Sequence, residues 1–141
     1  MKSTKILLIE DNLDHAELIT EVLDEENDMK VILKKDGQEA IDYFQKSNVD
    51  YGNEERSQIS LVILDLNLPK IHGIDVLKFL KKDPVFCKIP VFAFSASYDD
   101  KTIGTVYGHG ADGFMPKLLS YEKFVENIRL LRNYLPNTYK F

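Results

Sequence analysis

Leu61-Val62-Ile63-Leu64-Asp65 is the most apolar run in the chain, and it stops on a carboxylate. Four aliphatic residues in a row, without polar alternation, suit a strand covered on both faces, as in a parallel sheet. Ile6-Leu7-Leu8-Ile9 repeats the pattern and stops on Glu10 and Asp11. Two buried strands that each end at acids decide how the rest is read.

After Asp11, Ala16, Ile19, Val22 and Leu23 recur at helical spacing between charged positions, with Asn12 or Asp14 available as a cap. Val31 to Leu33 predicts a second strand, Asp36-Gly37 a turn, and Ala40, Ile41 and Phe44 the apolar stripe of a second helix. Polar residues from Lys46 to Ser60 predict a long loop before the Leu61–Leu64 strand. Beyond Asp65, Ile74, Leu77 and Leu80 mark a helix that ends near Asp83-Pro84, where proline forbids continuation. Val91 to Phe94 is a fourth strand, Asp99 to Tyr107 a weaker helix, and Phe114-Met115 a short fifth strand. Phe124, Ile128 and Leu131 line a last helix. Five strands alternating with five helices predict a doubly wound α/β fold, a parallel sheet with helices on both faces and its site at the carboxyl ends of the strands.

Length and composition agree with one domain. A chain of 141 residues, 44% apolar, can bury a real core. The net charge of −5 comes from mixed acidic and basic residues without a basic block, which argues against nucleic-acid binding. No apolar run is long enough to cross a bilayer, and the N-terminus turns acidic after four apolar residues, so neither a membrane span nor a signal peptide is expected. This reads as a cytoplasmic protein. The single Cys87 excludes an internal disulfide. His15, His72 and His109 lack metal-ligand spacing, and neither they nor Cys87 are assigned chemistry. Gly73 and Gly113 are read as serving backbone geometry.

The polar residues at strand ends carry the functional reading. Glu10, Asp11, Asp65, Ser95 and Lys117 each follow a predicted strand, and a parallel sheet gathers those ends. An acid after a strand is ordinary by itself, as a turn former or helix cap. Three carboxylates in one crevice are less so: each pair repels by about 1 kcal/mol at 4 Å in water and by more when buried, so the group calls for a cation. Oxygen ligands alone point to magnesium or manganese, and Asp65 is the candidate nucleophile.

ILLIEDN at 6–12, DGQEAIDYF at 36–44, LVILDLNLPKIHG at 61–73, IPVFAFSAS at 89–97 and GADGFMPK at 110–117 together resemble the motifs of response-regulator receiver domains, in the family's order and over nearly the whole chain. The resemblance implies a flavodoxin-like receiver fold and a phosphorylation switch. It makes Asp65 the phosphoacceptor, Asp11 a direct metal ligand, Glu10 a ligand through water and the Asn67 backbone carbonyl a further ligand. Ser95 would hydrogen-bond the phosphoryl oxygen, Lys117 would pair with it, and Phe114 stands where many members carry a switching tyrosine. The donor would be a histidine kinase or phosphotransfer protein, and the output would pass to a partner protein, since the chain ends soon after its last helix. The 46–60 loop and the LDLNLPK and KDPVFCKIP segments are most similar to small receivers linked to phytochrome kinases. That likeness suggests a homodimer through the fourth helix, fifth strand and fifth helix, helped by an aromatic tail at Tyr134, Leu135, Pro136, Tyr139 and Phe141.

One departure concerns Lys117: the family places proline after its lysine, whereas here Pro116 precedes it and Leu118 follows. Two other readings stand beside this one. A magnesium-dependent phosphohydrolase of the haloacid-dehalogenase class would carry a second aspartate two residues past the nucleophile, where this chain has Asn67, and would need a cap domain. A pseudo-receiver binding module would be expected to have lost Asp11, Asp65 or Lys117.

Overall fold

The computed structural model describes residues 4–25, 28–45, 58–97, 99–117 and 120–134. Its strands are β1 (Thr4–Ile9), β2 (Met29–Lys34), β3 (Ile59–Asp65), β4 (Val91–Ser95) and β5 (Gly113–Pro116). Between and after them lie α1 (Leu13–Leu23), α2 (Gly37–Gln45), α3 (Gly73–Lys82), α4 (Asp100–Gly108) and α5 (Tyr121–Leu131), with single 3-10 turns at Phe86–Lys88 and Arg132–Tyr134. All strand pairs are parallel, in the order β2-β1-β3-β4-β5. The chain leaves β1 toward one edge and returns to build β3 on its other side. The loops after β1 and β3 therefore diverge and open a crevice at the carboxyl ends of the strands.

The apolar runs are buried on both faces, as their lack of alternation requires. Leu7, Ile9, Val62, Leu64 and Ala93 pack with Ala40, Phe44, Val76, Leu77, Leu80 and Val106 of α2, α3 and α4. Ile6, Leu8, Ile63 and Phe94 pack on the opposite face with Ala16, Ile19 and Leu23 of α1 and Phe124, Ile128 and Leu131 of α5.

Element ends differ from the sequence reading where pairing extends them. β3 starts at Ile59, so Ile59 and Ser60 are strand and not loop; residues 46–57 lie outside the described set. Asp65 and Ser95 are the last residues of their strands and do not follow them: Asp65 is in register with Phe94, and Ser95 with Pro116. A ladder continues through a polar residue as long as its neighbour offers a partner. Of the expected aromatic tail, Leu135, Pro136, Tyr139 and Phe141 also lie outside the described residues.

Local signals set the helix starts. Asn12 Oδ1 accepts the His15 N–H at 3.0 Å, which selects it over Asp14 as the cap of α1. His72 Nδ1 accepts the Ile74 N–H at 3.2 Å and so caps α3. Gly73 fits there because a Cβ would lie 2.5 Å from the Leu66 Cα and 2.6 Å from the Asp65 carbonyl oxygen.

Candidate functional site

Four strand ends converge on one acidic crevice. Glu10 directly follows β1, Asp65 ends β3, Ser95 ends β4 and Lys117 directly follows β5. Glu10 and Asp65 are fully buried while Asp11 is exposed, and one oxygen from each of the three lies within 4.8 Å of the others.

Lys117 reaches into this cluster. Its Nζ donates to Asp65 Oδ2 at 2.7 Å and to Glu10 Oε2 at 3.3 Å, lies 3.1 Å from Glu10 Oε1, and stands 5.5 Å from the centre of the Phe94 ring. The preceding proline does not displace it. The Lys117 N–H donates to the Ser95 carbonyl at 2.8 Å. Strand alternation therefore turns the Pro116 nitrogen to the open edge of the sheet, where a missing N–H costs nothing. Burial works against the Lys117 ammonium, but the hydrogen bond to Asp65 and the charges of Glu10 and Asp65 outweigh it and hold its pKa above the usual lysine value.

Glu10 is the strained member of the cluster. Burial first, then its contact with Asp65 and that carboxylate's charge, push its pKa up to about 8, against the opposing pull of the Asn12 N–H and Lys117. The Asn12 N–H donates to Oε2 at 3.0 Å, whereas Oε1 is buried and accepts no aligned hydrogen bond among the described residues. Two buried carboxylates thus share the Lys117 ammonium with a third, Asp11, beside them, and a buried oxygen is left without an aligned donor. An all-oxygen donor set in that state fits a hard divalent cation such as magnesium or manganese.

Asn67 and Ser95 form the other wall. The Asn67 N–H donates to Asp65 Oδ1 at 2.8 Å, and its side-chain oxygen accepts from the Ser95 hydroxyl and the Ala96 N–H, both at 3.2 Å. Ser95 Oγ in turn accepts the Ser97 N–H at 3.0 Å. Phe114 sits half-buried on β5, in register with Ala93.

The sequence reading did not place His15 here. Its Nδ1 lies 3.9 Å from Glu10 Oε1, is buried, and has no hydrogen-bond partner among the described residues. The available signal was the Asn12 cap, which fixes residue 15 in the first turn of α1, above the end of β1. His72 is an N-cap, and Cys87 lies in the 3-10 turn before β4.

Comparison with known proteins agrees with this geometry. The family model described as the response regulator receiver domain matches residues 6–129. The response regulator Rcp1 of Synechocystis is 35% identical over 103 residues, which cover 72% of this chain and 68% of Rcp1. The crystal structure of the phosphorylated cyanobacterial phytochrome response regulator RcpA superposes with a TM-score of 0.84 at 30% identity, covering 94% of each chain. The Mn²⁺-bound form of Rcp1 superposes at 0.82 with 26% identity, covering 94% of this chain and 99% of that one. No helix among the described residues is long and apolar enough to cross a membrane. With its sheet order, its acidic crevice and a family match over most of its length, the chain belongs to the response regulator receiver domain family of two-component signalling.

Proposed function

We propose that residues 1–141 form one receiver domain that takes a phosphoryl group on Asp65 from a histidine kinase or phosphotransfer protein in the cytoplasm. An Asp65 oxygen attacks the phosphorus of a phosphohistidine. The P–O bond of an acyl phosphate forms as the P–N bond breaks, and the released imidazole nitrogen takes up a proton from solvent.

The observation that supports this reading is the state of Asp65. It is a fully buried carboxylate at the end of a central strand, with one oxygen on the Lys117 ammonium and the other on the Asn67 N–H. A nucleophile held this way gives up little freedom on the way to reaction. Glu10, Asp11 and Asp65 are the side chains that would hold magnesium or manganese, Asp11 directly and Glu10 through water, with the Asn67 carbonyl as a further ligand. When bound, the cation neutralises charge on the acceptor and on the transferring oxygens. Lys117 then pairs with the phosphoryl oxygens, Ser95 donates its hydroxyl to one of them, and Phe114 repacks on β5. The chain catalyses only its own phosphorylation and dephosphorylation, and it signals by conformational change to a downstream protein.

A second copy of the chain is the partner we propose for the face of α4, β5 and α5. A groove of about 260 Å³ lies between β5 and α5, lined by residues that include Phe92, Phe114, Pro116 and Leu130. Leu130 is 56% exposed on its rim. Contact through one such patch is two-fold symmetric, and phosphorylation and dimerisation strengthen each other by linkage.

Intact-mass measurement after incubation with acetyl phosphate tests the acceptor assignment. One phosphoryl adduct is expected with magnesium, and none in excess chelator or in Asp65→Asn. An unchanged adduct in Asp65→Asn, or equal labelling in chelator, overturns the assignment. No adduct on the wild type under any condition favours a pseudo-receiver.

A further inference from the structure

The Asn67 side chain holds Ser95 away from the task just assigned to it. A serine hydroxyl has one proton to donate. Ser95 Oγ donates that proton to Asn67 Oδ1 at 3.2 Å and uses its acceptor side for the Ser97 N–H at 3.0 Å. Ser95 is 2% exposed, so bulk water does not readily replace Asn67 as the acceptor of its proton, whereas Asn67 itself is exposed. The orientation of the Asn67 amide is set by its other neighbour: the Ala96 N–H can only donate, so the atom 3.2 Å from it must be the amide oxygen. That oxygen therefore pins both the last residue of β4 and the first residue of the loop beyond it. The same residue's N–H holds Asp65 Oδ1 at 2.8 Å, so Asn67 ties the acceptor to the β4 end.

We propose that Asn67 is a positioning residue whose side-chain oxygen competes with the phosphoryl group for the single Ser95 proton, and so stabilises the unphosphorylated conformation. The inference rests on Asp65 as acceptor and on Ser95 as a donor to the phosphoryl oxygens. Asn67 is exposed, so when Ser95 turns to the phosphoryl group water can take the place of its hydroxyl on Asn67 Oδ1. The exchange is then close to one hydrogen bond for another, which suits a reversible switch. The contest is confined to the Asn67 side chain. Its backbone carbonyl and its N–H to Asp65 are retained in any substitution other than proline.

The test is a titration with beryllofluoride, a phosphoryl mimic, in the presence of magnesium, followed by backbone amide NMR. It is run on the wild type, Asn67→Ala, Ser95→Ala and the double variant. Asn67→Met, of similar length but without an acceptor oxygen, is run beside Asn67→Ala in case the smaller side chain unsettles the fold. In Asn67→Ala and Asn67→Met the Ala96 amide should exchange faster. The mimic should bind about five-fold more tightly, the equilibrium weight of one ordinary hydrogen bond. On the Ser95→Ala background the same substitution should leave affinity unchanged, because no proton is left to contest. A gain of equal size on that background, or unchanged affinity in both Asn67 variants while Ala96 exchanges faster, overturns the competition and leaves the acceptor reading standing. A wild type that does not take the mimic at all overturns the acceptor reading and this inference with it.

Discussion

The Lys117 ammonium lies 2.7 Å from Asp65 Oδ2 although 52 residues separate the two, and at the same time it lies within 3.1 Å of Glu10, 107 residues away. One cation thus serves two buried carboxylates, and the predictions about charge follow from that arrangement.

Lys117→Met should lower the stability of the metal-free protein by about 3–5 kcal/mol, the usual cost of removing one partner from a buried ion pair. Glu10, with its pKa raised to about 8, already holds a proton near pH 7, so Asp65 is the carboxylate left unpaired and the loss falls toward the lower end. Magnesium should restore much of it, since a divalent cation replaces the missing charge. Thermal unfolding in chelator and in magnesium checks this, and equal melting of variant and wild type in chelator would contradict it.

The metal-free protein should lose stability as pH rises. The Glu10 pKa is raised from 4.5 to about 8 on folding, so between those values the folded state holds a proton that the unfolded state has released. Its contribution is fully present below about pH 4.5 and is lost through about pH 8. Denaturant titrations of the wild type in chelator should show this decline, and Glu10→Gln should flatten it. Magnesium binding near pH 7 should also release a proton, seen as a binding enthalpy that depends on the buffer. A decline of the same size in Glu10→Gln would assign the effect to another group.

Gly73→Ala should destabilise the fold. Alanine improves helix propensity by about 1 kcal/mol, but the new methyl meets the Leu66 Cα and the Asp65 carbonyl at 2.5 and 2.6 Å. Backbone paired in the sheet cannot step aside as a flexible side chain would: the Leu66 N–H is bonded to the Phe94 carbonyl. Overpacking of this kind costs about 1–3 kcal/mol or more and outweighs the gain. Urea unfolding measures the balance, and a variant as stable as the wild type would show that α3 can shift away.

Lys81→Met should loosen the segment before β4. The Lys81 ammonium, largely buried, donates to the Cys87 and Ile89 carbonyls at 3.2 and 3.0 Å and to Asp112 at 3.0 Å. Asp112 also accepts the Val91 N–H at 2.8 Å, so one lysine ties the end of α3 to the starts of β4 and β5. A loss of about 1–3 kcal/mol is expected. Faster amide exchange at Cys87 to Val91 would accompany it, and unchanged exchange there would disprove the tie.

Leu130→Glu should abolish self-association without weakening the fold, because the side chain is exposed on the rim of the groove between β5 and α5. Sedimentation with and without beryllofluoride reads it. The same measurement on a chain ending at Leu135 tests the aromatic tail. A monomer in every wild-type sample at tens of micromolar would remove the dimer from the proposal.

The fold was legible because its signals are local. Uninterrupted aliphatic runs, helical spacing and a proline stop depend on residues a few positions apart, and they located the five strands and five helices found among the described residues. The family motifs then named the polar residues at the strand ends, and the structure brings Glu10, Asp11, Asp65 and Lys117 together, with Ser95 beside them on Asn67. Boundaries were less legible: Asp65 and Ser95 read as following their strands, but pairing with Phe94 and Pro116 carries the ladder through them.

The alternation of elements and the kinds of side chain at their ends were therefore readable along the chain, since periodicity and composition are properties of sequence neighbours. The tertiary structure alone decided which atoms meet. Pro116 is harmless because β5 is an edge strand and the Lys117 N–H, not the proline nitrogen, faces β4. His15 borders Glu10 because the Asn12 cap orients the first turn of α1. The Ser95 hydroxyl is committed to Asn67, 28 residues away, because β3 and β4 are adjacent and in register. Such contacts are set by strand order, register and side-chain direction, and none of these is written in the spacing of residues along one segment.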